Sequence, residues 1–553
     1  MGFRRILILG LLIVCVLVTL PAVNAATVVY NVSTYCDLEN VSYIIRDNPG
    51  MDVIINLKSD ISYTDLVLNN DTSPNVRFPH ANLVINGNNH SIKINPTNVL
   101  MAPALTARNA MNFENVTCVF NNVRFVGLDS VSDNTRRING IYIHGLSNVT
   151  FNSCVFDNNV YNGNDFSFIY LDDCLPDGYG SFFIENRSGT ESLKFNNCVV
   201  SNNVGSFLKI GQLNDNRTLN FEMVNMTFSN NVLSSNSFVA LKGDDVKIEN
   251  CDIIGNNVSI FFDVTNNVLI SNVSFENNSV TDNLVRFGSP GVVLKNCYFG
   301  NNSGVLFYFL GTSASFSSGM SYEIVHNTFY NNSVSALVKA AINPSPKTEF
   351  YFNTFVNNSN FSSTGNFSNF SFFGNLNVNS SNNVDTSELV SSYSEVFGTN
   401  SLGLNGGKTK NIQLSDKDTN PALNKISSVE YQAKIGSNPD SGVDQAGKKR
   451  LYGSAVDYGS VELQKGVIGS IIDDIINIIK PSKPSDGDSD DSDGSKLFSK
   501  TKPSMVEFLS GDGSLITRMS NLLYFIVSNW VKLGVPVISP MSQGIINIAG
   551  WES

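Results

Sequence analysis

The chain of 553 residues is 42% hydrophobic and only 15% charged, with a formal net charge of −12. That length sustains a large core, and the acidic balance excludes a nucleic-acid partner, whose phosphates demand basic patches. It argues equally against electrostatic docking on anionic lipid. Low charge with abundant Asn and Phe suits an all-β surface protein better than a cytosolic enzyme.

The first 25 residues read as a signal peptide. Arg4 and Arg5 form a positive n-region, Ile6 to Leu20 an apolar h-region, and Val23 and Ala25 the small residues before a cleavage point after Ala25. The expected location is therefore secreted, at the extracellular cell surface. Of eight cysteines, Cys15 leaves with the leader, and the remaining odd number cannot pair completely within one chain.

A short helix is expected over 37–47, with Leu38, Val41, Ile44 and Ile45 on one face, as part of an N-terminal cap over 26–82. Asp52 to Leu57 reads as the first strand and Leu83 to Ile94 as the first full rung. From there to about residue 400 one template recurs: Φ-x-Φ-x-N-Φ-x-Φ, with Φ apolar. Leu193, Phe195, Asn197, Cys198 and Val200 fit it, as do Val246, Ile248, Asn250, Cys251 and Ile253. Copies at Asn272 and Asn296 fit as well, and looser ones end at Phe125, Phe156, Phe228, Phe329 and Phe355. An Asn pair usually follows, beginning at Asn158, Asn202, Asn230, Asn277, Asn301, Asn331 and Asn357.

The final Φ positions lie between 22 and 44 residues apart. Helix-pair repeats hold a tighter period, whereas a β-solenoid lets loops vary while short strands stay in register. Period-two alternation marks a strand with one buried face, and it breaks at Asn, a residue that tolerates the left-handed backbone of a bend. The template places both Asn197 and Cys198 inward, with the bend Asn side chains stacked as a hydrogen-bonded ladder at the ~4.8 Å strand spacing. The fold class read from these copies is all-β, a right-handed parallel β-helix.

Cys154, Cys198, Cys251 and Cys297 share the slot after the bend with Val123, Met226, Val273, Asn327 and Asn353. Interchange with Val and Met makes the slot a core position, where Cys packs as a small hydrophobe. Intervening rungs hold Cys198, Cys251 and Cys297 apart, beyond disulfide reach. Neither a CxxC spacing nor a His partner accompanies them, so no metal or cofactor is read here.

Residues 401–480 read as closing rungs and a cap helix over 467–479, followed by an acidic Pro/Ser/Gly linker over 481–496. The last segment, 497–553, contains the apolar but interrupted stretch 522–537 and reads as an attachment module for membrane, wall or a partner. Asn420-Pro421-Ala422-Leu423, Asp444-Gln445-Ala446-Gly447, Arg450, Gly453 and Asp457-Tyr458-Gly459-Ser460-Val461-Glu462 together resemble the choice-of-anchor ending of secreted parallel β-helix proteins. Asn420, Asn424 and Ser460 depart from that pattern. Leader, Asn-rich rungs and unpaired cysteines resemble the adhesin-like surface proteins of gut methanogenic archaea over about 27–465. That resemblance implies a non-catalytic protein binding glycans or neighbouring cells through a pectate-lyase-like fold, and it carries no fixed binding motif.

Nineteen Asn-x-Ser/Thr sequons occur, and an exported chain exposes them to glycosylation. Asn148, Asn225, Asn301 and Asn331 are the candidate acceptors, whereas Asn272 at a bend is expected to be buried. The competing reading is a polysaccharide lyase or glycoside hydrolase, which needs opposed carboxylates or a calcium nest with a base. The two long insertions are where such groups would lie: Asp129, Asp133, Arg136 and Arg137 in one, Asp165, Asp172, Asp173 and Asp177 in the other. Asp172-Asp173 lacks the other motifs of pectin hydrolases, His144-Gly145 is a fragment, and His326 occupies the bend slot of its rung. The preferred candidate is a ligand-binding loop over 161–190 carrying Tyr161, Phe166, Tyr170, Asp172, Asp173 and Tyr179, with Phe168 beside them. Aromatic rings there suit stacking on sugar faces.

Overall fold

The computed structural model describes residues 27–463, apart from 63–75, 94–107, 128–137, 161–166, 173, 177–181, 185–188, 212–216, 266, 290, 311–320, 341–346, 360–362, 365–369, 381–388, 436–441 and 452–454. The expected leader and its cut after Ala25, the cap helix, the acidic linker and the C-terminal attachment module lie outside the described residues.

Three long parallel sheets run along the stack, here called A, B and C, with 13, 13 and 11 strands. Each rung contributes one strand to each, and the whole is a right-handed parallel β-helix. Pairing is in register. Phe120, Phe151 and Phe195 are consecutive partners in sheet A. Their rings stack inside at 4.7 and 5.0 Å, nearly parallel. Phe275, Phe299, Phe329 and Phe355 repeat the arrangement in sheet B at 4.7 to 4.8 Å.

The stack begins earlier than the sequence pattern suggests. Val28–Val32 is already a strand of sheet A, paired with Asp52–Leu57. Helix α1, Tyr35–Asp47, is capped by the Thr34 side chain and lies between those two strands in the chain. It buries Leu38, Val41 and Ile45, while Ile44 turns out to solvent at 39% exposure.

The bend after sheet A does need a left-handed residue: Asn197, Asn225, Asn250, Asn272 and Asn296 have φ of 53° to 56°. The expectation that both Asn197 and Cys198 point inward fails. A left-handed residue reverses the pleat, so Asn197 is exposed and Cys198 is buried.

At the sheet A bend Asn225 Nδ2 donates to Asn197 Oδ1, but the continuous ladder belongs to the residue after the next bend, the second Asn of each Asn pair, or Asn256 where Gly255 takes the first place. In each pair the first residue, such as Asn202 or Asn277, takes the left-handed bend. The second is buried: Asn159, Asn203, Asn231, Asn256, Asn278, Asn302, Asn332 and Asn358. Asn256 shows the unit. Its backbone N and Nδ2 both donate to Asn278 Oδ1 at 3.0 Å. Nδ2 also donates down the stack to Phe228 O at 3.1 Å. Eight amides repeat this, ending on Ser380 Oγ. A shorter ladder fills the slot after the sheet A bend in the last rungs, from Asn327 through Asn353 to Asn375.

Residues 401–463, expected as closing rungs, add no strand to the three sheets; the last is Leu389–Ser391 in sheet B. The chain turns back and covers the outer face of the final rungs. Gln445 Nε2 donates to Cys297 O and accepts at Oε1 from Thr328 Oγ1. Ser460 N donates to Thr354 Oγ1 at 2.8 Å. The bend positions beneath it are no longer Asn but the buried His326, Phe352 and Gly374. The Arg450 guanidinium lies 4.3 Å from the Phe352 ring centre, and Tyr431 packs on the same ring. Burial, with Arg450 nearby, pushes His326 well down, so its imidazole is neutral.

Arg450 shares this dry interface with Asp444, Asp457 and Glu462. Glu462 Oε2 lies 3.6 Å from Arg450 Nε and accepts from Asp457 N. Burial pushes all three carboxyls up, Glu462 to about 8 despite Arg450.

Two predictions follow from this packing. Asn278→Ala strands two donors of Asn256 and the Ile253 carbonyl, and should cost about 2–5 kcal/mol in urea unfolding. Asn277→Gly, at a left-handed position, should cost only a few tenths. An acid whose folded pKa exceeds its unfolded value stabilises docking fully below that unfolded value, and the gain is lost as pH rises through about 8. Hydrogen exchange at the Ser460 and Leu463 amides, corrected for intrinsic rate, should therefore quicken with rising pH, and Glu462→Gln should flatten the response.

Candidate functional site

Sheet C turns Ile141 and Ile143, Ile169 and Leu171, and Leu208 and Ile210 inward. Strand alternation then places Tyr142, His144, Tyr170, Asp172 and Lys209 on its outer face. Register sets Arg77, Asn112, Tyr142, Tyr170 and Lys209 side by side across five strands. Two residues further along their strands, Glu114 stands beside His144.

The Tyr142 and Tyr170 rings stack at 5.8 Å and 17°, and Tyr142 stacks on His144 at 5.1 Å. Tyr170 Oη donates to Asp172 Oδ2 at 2.9 Å. Lys209 Nζ lies 6.0 Å from the Tyr170 ring centre. His144 Nε2 is 3.9 Å from Glu114 Oε2, which also accepts from Arg77 Nε at 3.1 Å. Burial raises the Glu114 carboxyl, but Arg77, His144 and His80 outweigh it and hold it below the usual carboxylate range as an anion. Tyr142, His144 and Asp172 are buried, whereas Arg77 is exposed and Asn112, Glu114, Tyr170 and Lys209 are half-buried. The arrangement offers the half-buried Tyr170 ring, backed by the buried Tyr142 and Asp172, with the charged Lys209 alongside on the next strand.

Of the six candidate loop residues, Tyr170 and Asp172 come together here. Tyr161, Phe166, Asp173 and Tyr179 lie outside the described residues, as do Asp129, Asp133, Arg136, Arg137, Asp165 and Asp177. Phe168 is a core residue, 1% exposed and packed on Phe125 and Phe156. Within the insertion, Cys174–Pro176 and Phe182–Ile184 pair as an antiparallel hairpin that starts two residues after Asp172. Tyr142, Glu114 and Arg77 were missed by sequence reading, and only the register across variable turns reveals them.

The sequon residues Asn148, Asn225, Asn301 and Asn331 are exposed, and Asn272 is half-buried rather than buried. A second pair of carboxylates sits on sheet A, where Glu323 and Glu349 are register partners. Tyr351 Oη donates to Glu349 at 2.8 Å, and burial together with Glu349 pushes Glu323 up. Among the described residues no group of His, Cys, Asp and Glu is arranged to hold a metal ion. Among them, too, no helix is long and apolar enough to cross a membrane.

No family model matches the chain, and no curated protein matches it. Among solved structures it is similar to a pectate lyase from a Bacillus species in complex with trigalacturonate. Identity there is 12%, coverage 56% of this chain and 82% of that one, and the TM-score 0.27. It is also similar to tailspike protein 3 of bacteriophage CBA120, with 10% identity, 64% and 56% coverage and a TM-score of 0.28. The mannuronan C-5 epimerase A-module of Azotobacter vinelandii gives 12% identity, 66% and 99% coverage and a TM-score of 0.23. The likeness concerns architecture alone.

Proposed function

We propose that the protein is a non-catalytic, adhesin-like surface protein that binds glycans on the outer face of sheet C, beside the 161–190 insertion. The observation that carries this reading is the stacked Tyr142–Tyr170 pair with Asp172 hydrogen-bonded to Tyr170. Sugars present apolar ring faces and hydroxyl edges, and this surface presents the Tyr170 ring, held by the buried Tyr142 and flanked by fixed hydrogen-bonding groups. Both carboxylates of the row are held by neighbours, Asp172 by Tyr170 and Glu114 by Arg77, which suits binding more than proton transfer. Export to the cell surface, glycosylation at Asn148, Asn225, Asn301 and Asn331, and attachment to wall or membrane through residues 497–553 complete the proposal. Its glycan partners belong to the envelope of the same or neighbouring cells, in the manner of the archaeal adhesin-like proteins. Among the described residues, Glu323 beside Glu349 favours a lyase or hydrolase instead.

The experiment is glycan-array binding followed by titration of retained glycans. Tyr170→Ala should weaken binding about tenfold or more, equivalent to about 1.4 kcal/mol. A Val390→Ala control on the exposed last strand of sheet B should bind normally. Equal binding by all three proteins, with unchanged thermal unfolding, contradicts the assignment to sheet C.

A further inference from the structure

Cys154 and Cys198 occupy the inward slot after the bend in two consecutive rungs. The strands that follow them pair Val155 with Val199, which sets the two cysteines opposite each other. In-register stacking holds their Cα atoms ~4.8 Å apart, inside the window for a disulfide. Cys154 N donates to Cys198 Sγ at 3.4 Å. Both thiols are free and buried.

No other described cysteines are placed this way. The rung carrying Val273 separates Cys251 from Cys297, and Cys118 stacks on Val149 in sheet A. The pair also has a distinctive place in the chain. Cys154 and Cys198 bracket the longest interval between rungs, 44 residues, which holds the insertion, its hairpin, Tyr170 and Asp172.

We propose that Cys154 and Cys198 are a two-electron redox pair, oxidised by a hydroperoxide that reaches them when the rungs open locally, to a disulfide that joins the two rungs between which the insertion leaves and returns. Cys198 is the attacking sulfur. Its sulfur accepts the Cys154 backbone N–H, a donor that favours the thiolate and that no substitution of the Cys154 side chain removes, whereas burial pushes Cys251 and Cys297 up to about 12. The Cys198 thiolate attacks the distal peroxide oxygen, the O–O bond breaks, and the departing oxide takes a proton to leave as water or alcohol. The resulting Cys198 sulfenic acid is attacked by Cys154 sulfur; the S–S bond forms, the S–O bond breaks, and the hydroxyl leaves as water with the Cys154 proton. Two thiols are oxidised and one hydroperoxide is reduced. The disulfide closes a loop that carries Tyr170 and Asp172, and it is reversed by a dithiol.

The test treats the reduced full-length protein with hydrogen peroxide, blocks remaining thiols, and maps peptides without reduction. The expected result is a dithiothreitol-reversible crosslink between the Cys154 and Cys198 peptides, with Cys251 and Cys297 still blocked as thiols. Cys154→Val keeps a residue already present in this slot at Val123 and Val273, and should leave Cys198 as a sulfenic acid that dimedone traps. Cys198→Val should leave Cys154 unreacted. Absence of the crosslink in the folded protein, or crosslinks spread evenly among other cysteines, overturns the proposal.

Discussion

The hydrogen-bonded column of buried amides from Asn159 to Asn358 is the constraint on which the rest depends. Each buried Asn must meet the next at one strand spacing, or leave polar groups dry and unpaired. That requirement sets the register of the rungs from Asn159 to Asn358 whatever the length of their return loops, and a second amide ladder, Asn56 to Asn86 to Asn121 to Asn152 to Asn196, ties the rungs before them. Once the register is set, the Phe columns stack, the inner slots fill, and outward residues from distant stretches of chain align in rows. Asn meets this demand with a side chain short enough to stay at the corner and an amide that both donates and accepts. Asp would line up like charges, and Gln would reach past its neighbour.

The architecture was legible because alternation and a left-handed residue are local properties, and both appear in nearly every copy of the template. Which Asn faces inward was not. Simple alternation carried the bend Asn inward, but a positive φ reverses the pleat, and Asn197 therefore faces out while Asn203 builds the ladder. The folded-back segment 401–463 left a trace that reads clearly only in hindsight. Three bends lose their Asn, at His326, Phe352 and Gly374, because they lie under Arg450 and Tyr431 rather than water.

The candidate site was legible only in part for the same reason that the fold was legible as a whole. Tyr170 and Asp172 stand out as aromatic and acidic residues in a long insertion. Arg77, Glu114 and Tyr142 sit in other rungs, separated by returns of different lengths, and no local pattern links them. The stack joins them through register: Arg77 to Asn112 to Tyr142 to Tyr170. A β-helix thus makes a rigid platform from residues scattered in sequence, Tyr170 and Asp172 of the insertion among them. The Cys154–Cys198 pair belongs to the same geometry, since adjacent rungs bring two slots within bonding distance.

The central functional claim is recognition of glycans without chemistry. The most direct measurement mixes the purified protein with wall and host polysaccharides, with and without calcium, and assays retained glycan and new chain ends in the same tubes. The account predicts retention of at least one polysaccharide with no new ends. New ends, released by the wild type and lost on Glu323→Gln, would contradict it and make sheet A the seat of a reaction.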